Sequence, residues 1–146
     1  MVLDEPAPEI TTSPCPLCTA SDEEILYLSD LYRVIFVNDP DWPGFCRVIL
    51  NDHMSEMTDL TMEDRSAIMR AVYATELILR DLLHPDKINL ASLGNVVPHI
   101  HWHVIPRWKN DSHFPDPIWA SPKRPWSNKP AVDQQEIANR LKASLG

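Results

Sequence analysis

Three histidines at alternate positions form the segment of this sequence best suited to chemistry. They lie in His99-Ile-His101-Trp-His103-Val-Ile-Pro-Arg107, and the whole chain of 146 residues contains only six histidines. If the segment is a β-strand, alternate side chains face the same side of the sheet, so the three imidazoles line one face. The apolar residues between them then fill the opposite face, and the row indicates a site rather than scattered core histidines.

Two kinds of chemistry use such a row of imidazoles. Three histidines can hold a catalytic metal ion that activates a water molecule. Alternatively, one imidazole acts as a nucleophile while its neighbours orient it and handle protons, because an ordinary pKa of about 6.5 leaves a lone pair available near neutral pH. The residues by themselves leave both possibilities open.

A second group of reactive side chains lies near the start of the chain, in Cys15-Pro-Leu-Cys18. The chain has three cysteines, which cannot all pair with one another. In a reducing compartment this spacing is typical of a metal-binding or redox motif rather than of a structural disulfide. The third cysteine, Cys46, is predicted to be a small buried apolar residue.

The elements that position these residues follow from apolar patterning and turn residues. Two strands flank the turn formers Asn38 to Gly44, a helix begins at the capping sequence Thr61-Met-Glu-Asp64, and a proline at position 85 ends it. The sequence therefore predicts an α+β domain, with an antiparallel sheet and the long helix on one of its faces. The predicted strands span residues 32–37, 45–50, 87–93 and 99–106, and the helix spans 61–83.

The chain divides into three parts by composition. Residues 1–13 are acidic and polar and are predicted to be a flexible arm, whereas residues 14–108 carry the regular elements. Residues 109–146 are rich in proline and tryptophan and end in a predicted short helix over 132–145. This tail is expected to form an irregular cover or a surface for a partner.

Composition and charge exclude several functional classes. With 44% apolar and 23% charged residues the chain is expected to fold as one compact domain. No apolar stretch approaches the roughly 20 residues that cross a bilayer, and the acidic start does not resemble a secretory signal, so we expect a cytoplasmic protein that binds no membrane. A net charge of −8 argues against nucleic acid as a partner, but not against a small phosphorylated ligand.

The histidine row and its surroundings resemble the signature of the histidine triad (HIT) superfamily, His-x-His-x-His-x-x with apolar x. Pro106-Arg107 is similar to the continuation found in its dinucleoside polyphosphate hydrolase branch. The resemblance covers residues 15–107, and Asn38, Asn89 and Gly94-Asn95 fall where that family keeps recognisable residues. It implies a HIT-like fold, with about five antiparallel strands, one long helix and a short C-terminal helix, assembled as a homodimer.

The resemblance also implies catalytic roles for the three histidines. His101 is expected to attack the α-phosphorus of an adenine nucleotide and to carry the nucleotidyl group covalently until water removes it. His103 would donate to the phosphate oxygens or to the departing group, and His99 would help to orient the triad. The implied substrates are dinucleoside polyphosphates or nucleoside phosphoramidates, and Pro106-Arg107 favours the former.

Further polar residues are expected to bind the nucleotide and its phosphates. Asn38, Asn89 and Asn95 are candidate donors, although many relatives have Gln at the last of these positions. Arg107 either reaches a phosphate through two parallel hydrogen bonds or forms an ordinary ion pair. In the tail, three aromatic residues could cover a nucleotide base or simply pack: His113, Phe114 and Trp119.

A structural metal site is implied as well. Cys15, Cys18, His53 and His99 resemble the zinc ligands of some bacterial HIT proteins and of the galactose-1-phosphate uridylyltransferases. Two thiolates and two imidazoles suit a closed tetrahedral Zn²⁺ site, which leaves no position for a reactive water molecule. In the alternative, the thiols stay reduced and His99 acts only within the triad. No organic cofactor is implied.

Two other functions remain open from the residues. One is a metal-dependent hydrolase in which His99, His101 and His103 bind the ion and an activated water molecule attacks. The other is a nucleotide-binding regulatory protein that turns over little and uses its tail for interactions.

Overall fold

A five-stranded antiparallel sheet forms the centre of the computed structural model, which describes residues 14–146. The flexible arm predicted for residues 1–13 lies outside the described residues. The sheet has the strand order β1-β2-β3-β5-β4, and the two α-helices are Met62–Leu83 (α1) and Gln134–Leu145 (α2). The strands are β1 (Glu24–Leu28), β2 (Tyr32–Phe36), β3 (Cys46–Leu50), β4 (Lys87–Ala91) and β5 (His101–Arg107). The α+β class and the count of about five strands are confirmed.

The predicted hairpin is formed by β2 and β3, which pair from Tyr32 with Leu50 to Phe36 with Cys46. Gly44 closes its loop at φ 80°, and a Cβ at that position would lie 2.5 Å from Leu83 Cδ1 of α1. Glycine is therefore required both by the backbone conformation and by the close approach of the helix. The strand β1 was not predicted, because as an edge strand it buries only Leu26 and its register slips between Ile25 and Tyr27.

The long helix begins and ends where the local sequence predicts. The Thr61 hydroxyl caps it by accepting a hydrogen bond from the backbone N–H of Asp64 at 3.1 Å. His84 follows the last turn in a left-handed conformation, and Pro85 prevents continuation. The buried residues of α1 recur at helical spacing, and all of them except Thr75 belong to the main hydrophobic core: Ile68, Ala71, Val72, Thr75, Ile78 and Leu79.

The C-terminal helix contributes to the same core as the sheet. Ile137 and Leu141 of α2 are buried in the cluster that contains Val34, Val48 and Leu79. The hydroxyl group of Tyr27 on β1 also donates a hydrogen bond to the carbonyl oxygen of Leu145, at 2.9 Å. The short C-terminal helix is thereby confirmed, while the division of the chain at residue 108 stays a prediction.

Neither helix within residues 14–146 combines the length and the apolar character that crossing a membrane requires.

Candidate functional site

The strand that carries the histidines lies inside the sheet, between β3 and β4. His103 pairs with Arg47 on one side and with Ala91 on the other, and His101 pairs with Ile49. The rings of His101 and His103 meet edge to face with their centroids 4.9 Å apart. Strand pairing therefore fixes the backbone of His103 from both sides and that of His101 from β3.

His99 lies ahead of β5 and its ring takes part in a different group of residues. The strand begins at His101 rather than at His99, so the expected row of three imidazoles on one face is divided. His99 is 1% exposed, and its Nε2–H donates to the carbonyl of Leu50 at 2.6 Å. Burial is the main reason that its pKa is lowered, which leaves Nδ1 as an available lone pair.

His101 has the tautomer that a nucleophile needs. Its Nδ1–H donates to the carbonyl oxygen of His99 at 2.6 Å, so the lone pair is on Nε2. The ring lines a cleft of about 310 Å³ together with His103, Trp119 and the loop formed by residues 93–97. His101 thus combines a free ring nitrogen with access to space for a ligand.

His103 is neutral and carries its proton on Nε2. The guanidinium Nε–H of Arg47 donates to His103 Nδ1 at 3.2 Å, which leaves Nε2 as the protonated nitrogen. Burial, with smaller contributions from the charges of Arg47 and His101, lowers the pKa of His103 to about 4. The aromatic rings of Phe45 and Trp119 pack edge to face with the His103 ring, with 5.6 and 5.2 Å between ring centroids. His103 is therefore a hydrogen-bond donor over the whole physiological pH range.

Cys15, Cys18, His53 and His99 come together as a group that we call the cysteine–histidine cluster. Their ligand atoms all lie within 4.8 Å of one another and could hold a metal ion. His99 Nδ1 is 3.5 Å from Cys15 Sγ, 3.4 Å from Cys18 Sγ and 3.2 Å from His53 Nδ1. In tetrahedral zinc sites, bonds of about 2.0–2.3 Å place neighbouring ligand atoms about 3.3–3.8 Å apart, so the donor set and its spacing both fit.

Cys46 takes no part in this chemistry. It is fully buried in β3, as predicted, and burial raises the pKa of its thiol to about 12.

Arg107 is buried at the other end of β5 and uses four of its five N–H groups on protein partners. Four of its N–H groups donate hydrogen bonds: two to the carboxylate of Asp111, one to Asn89 Oδ1 and one to the carbonyl of Asp116. Burial by itself raises the pKa of Asp111, but hydrogen bonds from Arg107 and from three backbone amides lower it overall. The geometry favours the ion-pair alternative for Arg107, and we call these four residues the Arg107 network.

The candidate asparagines lie in three different surroundings. Asn95 is exposed and lines the cleft beside His101, whereas Asn89 on β4 accepts its hydrogen bond from Arg107. Asn38 is exposed at the start of the hairpin loop and does not line the cleft. Their roles in binding phosphate stay predictions.

Two residues of the site were missed or only partly recognised from the sequence. Arg47 was missed because it interrupts an apolar strand, Cys46–Leu50, where a charged residue is usually solvated on the outer face. The signal available in the sequence was its spacing: Arg47 is two residues after Phe45, so on a strand both side chains face the same side. In the tail, Trp119 reaches the cleft, whereas His113 packs edge to face on Trp42 with ring centroids 4.9 Å apart.

Residues 19–110 match the family model described as "HIT domain". Among curated proteins, the chain is 28% identical over 103 residues to "AP-4-A phosphorylase" of Mycobacterium tuberculosis, covering 64% of this chain and 52% of that protein. It is 30% identical over 94 residues to "Bis(5'-adenosyl)-triphosphatase" of Saccharomyces cerevisiae, covering 60% and 45%. The chain thus spans about half the length of these relatives.

Solved structures resemble almost the whole chain. A histidine triad protein from Bradyrhizobium japonicum is 25% identical with a TM-score of 0.67, covering 86% of this chain and 92% of that one. Another from Marinobacter aquaeolei is 29% identical with a TM-score of 0.65, covering 85% and 89%.

Proposed function

Because the chain belongs to the HIT domain family, we propose that it cleaves at the α-phosphate of adenine dinucleoside polyphosphates or nucleoside phosphoramidates, through a nucleotidyl group carried on His101. Two distant relatives have names that refer to diadenosine polyphosphates, which supports a nucleotide substrate of this kind. Since the chain spans about half of each relative, the activity itself is our inference from the site.

The observation that carries this proposal is the tautomer of His101. With Nδ1–H bound to the carbonyl of His99, the Nε2 lone pair can attack the α-phosphorus, forming a nitrogen–phosphorus bond while the bond to the leaving group breaks. The imidazolium that results is stabilised by the same carbonyl oxygen. Water then attacks the phosphorus and gives up a proton to the solvent, the nitrogen–phosphorus bond returns its electron pair to Nε2, and the nucleotide is released.

The geometry does not favour the metal-dependent hydrolase. That mechanism needs His99, His101 and His103 to converge on one ion, but His99 turns its Nε2 to Leu50 and its Nδ1 to the cysteine–histidine cluster. The metal-ligand group present within residues 14–146 includes His99 and neither of the other two histidines. Attack by the imidazole itself needs no such convergence.

The cysteine–histidine cluster is proposed to hold a structural Zn²⁺. Two sulfur and two nitrogen ligands would close the coordination shell, so the ion would supply folding energy rather than an activated water molecule. The ion would connect the turn at Cys15 and Cys18 to His99, whose carbonyl orients the nucleophile.

A homodimer is proposed from two exposed surfaces. Tyr73 and Leu77 of α1 are 56% and 64% exposed and line an apolar groove with Met69. The strand β4 is an edge of the sheet, so its outer backbone groups are available for pairing. A second copy could cover both surfaces at once.

Intact-protein mass spectrometry after brief mixing with diadenosine tetraphosphate tests the proposed mechanism. We expect the wild-type protein and His103→Ala to gain the mass of one AMP unit, and His101→Ala and His101→Gly to gain none. Steady hydrolysis without an adduct, abolished by a chelator and restored by Zn²⁺ while the fold survives, would instead support the metal-dependent hydrolase. Tight AMP binding with neither adduct nor turnover across both substrate classes would support the regulatory protein.

A further inference from the structure

Three arginines lie on the strands of the sheet, and one of them differs from the others in its partners. Arg33 on β2 pairs with Glu23 at 2.6 Å, and Arg107 on β5 pairs with Asp111 at 2.8 Å. Arg47 on β3 forms no ion pair within residues 14–146, and its one side-chain hydrogen bond there is to the neutral ring of His103. Its positive charge is therefore not neutralised by a contacting carboxylate.

This uncompensated guanidinium lies beside the reacting groups. Arg47 and His103 are directly paired residues on adjacent strands, so both side chains are on the face that carries His101. Arg47 uses Nε–H for His103, and the planar group also packs against the Phe45 ring, with 5.1 Å between its central carbon and the ring centroid. Within residues 14–146 the two terminal nitrogens form no side-chain hydrogen bond, so their N–H groups can donate to an anion.

We propose that Arg47 is a positioning and specificity-determining residue, which holds His103 as the Nε2–H tautomer and selects substrates whose leaving group departs as a phosphate anion. The proposal rests on the nucleotidyl transfer to His101 proposed above. Arg47 would act on the leaving group in two ways: through the donor that it orients on His103 and through its own charge.

The reason for this selectivity is the proton requirement of each leaving group. When the bond from the α-phosphorus to a bridging oxygen breaks, the polyphosphate takes the electron pair and leaves as an anion, because a terminal phosphate has a pKa of only about 6. An amine or ammonia that leaves from a phosphoramidate must gain a proton on its nitrogen as the phosphorus–nitrogen bond breaks, because it would otherwise depart as a strongly basic amide anion. A neutral His103 beside a cation can donate a hydrogen bond to a departing phosphate. It is poorly suited to act as a general acid for an amine, because the neighbouring cation disfavours the imidazolium form that would supply the proton.

The charged groups around His103 are few. Arg47 faces it from β3 and His101 from β5, and both lower its pKa, although burial is the larger cause. Phe45, Trp119, Ala91 and the loop of residues 93–97 carry no titratable side chain. Burial lowers the pKa of Arg47 overall, while the charges of Glu23 and Asp39 raise it to a smaller extent. Removing the charge of Arg47 is therefore expected to raise the pKa of His103.

The test compares two substrates that share the attacked adenylyl group: diadenosine tetraphosphate and adenosine 5′-phosphoramidate. For Arg47→Met, we expect the ratio of their kcat/KM values to fall by about tenfold or more, from loss with the polyphosphate. Arg47→Lys, which keeps the charge without the Nε–H group, should retain part of the preference. An equal change with both substrates would overturn the selectivity while leaving the nucleotidyl mechanism intact. Failure of the wild-type protein to turn over either compound would contradict the proposed function, and the selectivity with it.

A measurement on the protein without substrate tests the geometry separately. The ¹⁵N chemical shifts of His103 report which ring nitrogen carries the proton, and their pH dependence gives its pKa. We expect the Nε2–H form with a strongly lowered pKa in the wild-type protein, and mixed tautomers with a higher pKa in Arg47→Met. A wild-type His103 protonated on Nδ1, or a pKa that the substitution leaves unchanged, would overturn the role of Arg47 whatever the enzyme's substrate is.

Discussion

The cysteine–histidine cluster and the Arg107 network lie near the two ends of the segment from His99 to Arg107, and they are built in opposite ways. In the Arg107 network, Arg107 and Asp111 are buried, and the polypeptide alone supplies their partners. In the cluster, by contrast, Cys18 and His53 are exposed. Its sulfur and nitrogen ligand atoms lie within 4.8 Å of one another and are arranged to bind a metal ion. The C-terminal end of β5 is therefore held by protein groups alone, while the proposed ion would add to the hydrogen bond with Leu50 that holds His99.

The largest effect is expected from breaking the Arg107 network. Arg107→Ala leaves the Asp111 carboxylate buried and without its cation, which typically costs about 3–5 kcal/mol. Urea denaturation should show this loss in the free energy of unfolding. It should be the same with and without Zn²⁺, because the network contains no metal ligand. A loss below about 1 kcal/mol would contradict the view that this end of the strand is held by the network.

The next largest effect is expected from the metal. Zn²⁺ at about 100 times its Kd should raise the free energy of unfolding by about 2.7 kcal/mol, because the ion binds the folded chain. Thermal unfolding of the chelated and the zinc-loaded protein measures the difference. Cys18→Ser is the matched control, since it removes one ligand from an exposed position. The same stabilisation by Zn²⁺ in this variant would show that the ion binds elsewhere.

Low pH should weaken the Arg107 network through the carboxyl group of Asp111. The pKa of Asp111 is lowered in the folded protein, so its contribution to stability is present above the ordinary carboxyl pKa of 3.8 and is lost as the pH falls through the lowered value. The difference in unfolding free energy between the wild-type protein and Asp111→Asn should thus stay constant from pH 7 to pH 5 and shrink below about pH 4. A difference that already declines near pH 6 would contradict this assignment.

The smallest effect is expected for an ion pair outside both regions. Arg140 of α2 pairs with Asp81 of α1 and with Glu136, and all three side chains are substantially exposed. Arg140→Ala should therefore leave the midpoint of urea denaturation almost unchanged. This variant also serves as the control for Arg107→Ala, because it removes the same charge from a solvated site. A loss as large as that of Arg107→Ala would mean that burial does not explain the strength of the Arg107 network.

The elements that could be predicted from the sequence are those set by short-range chemistry. Thr61 and Asp64 cap α1, Pro85 ends it, and the turn before Gly44 joins β2 to β3. The strand β1 was not predictable from apolar alternation, because only one of its side chains is buried. Arg107 was left between two roles, and its burial against Asp111 favours the ion pair.

The amino-acid sequence by itself determined which residues could react: the alternating histidines, the paired cysteines and the strand that carries His101. The tertiary structure decided which of these residues contact one another. His99 joins Cys15, which is 84 residues away, and Arg47 reaches His103 across 56 residues. Such contacts depend on strand order and register, which bring distant residues together through packing of the whole core. Local propensity contains no information about these distances. The family resemblance implied that His99 groups with the cysteines, and the contacts that bring them together exist only in the folded chain.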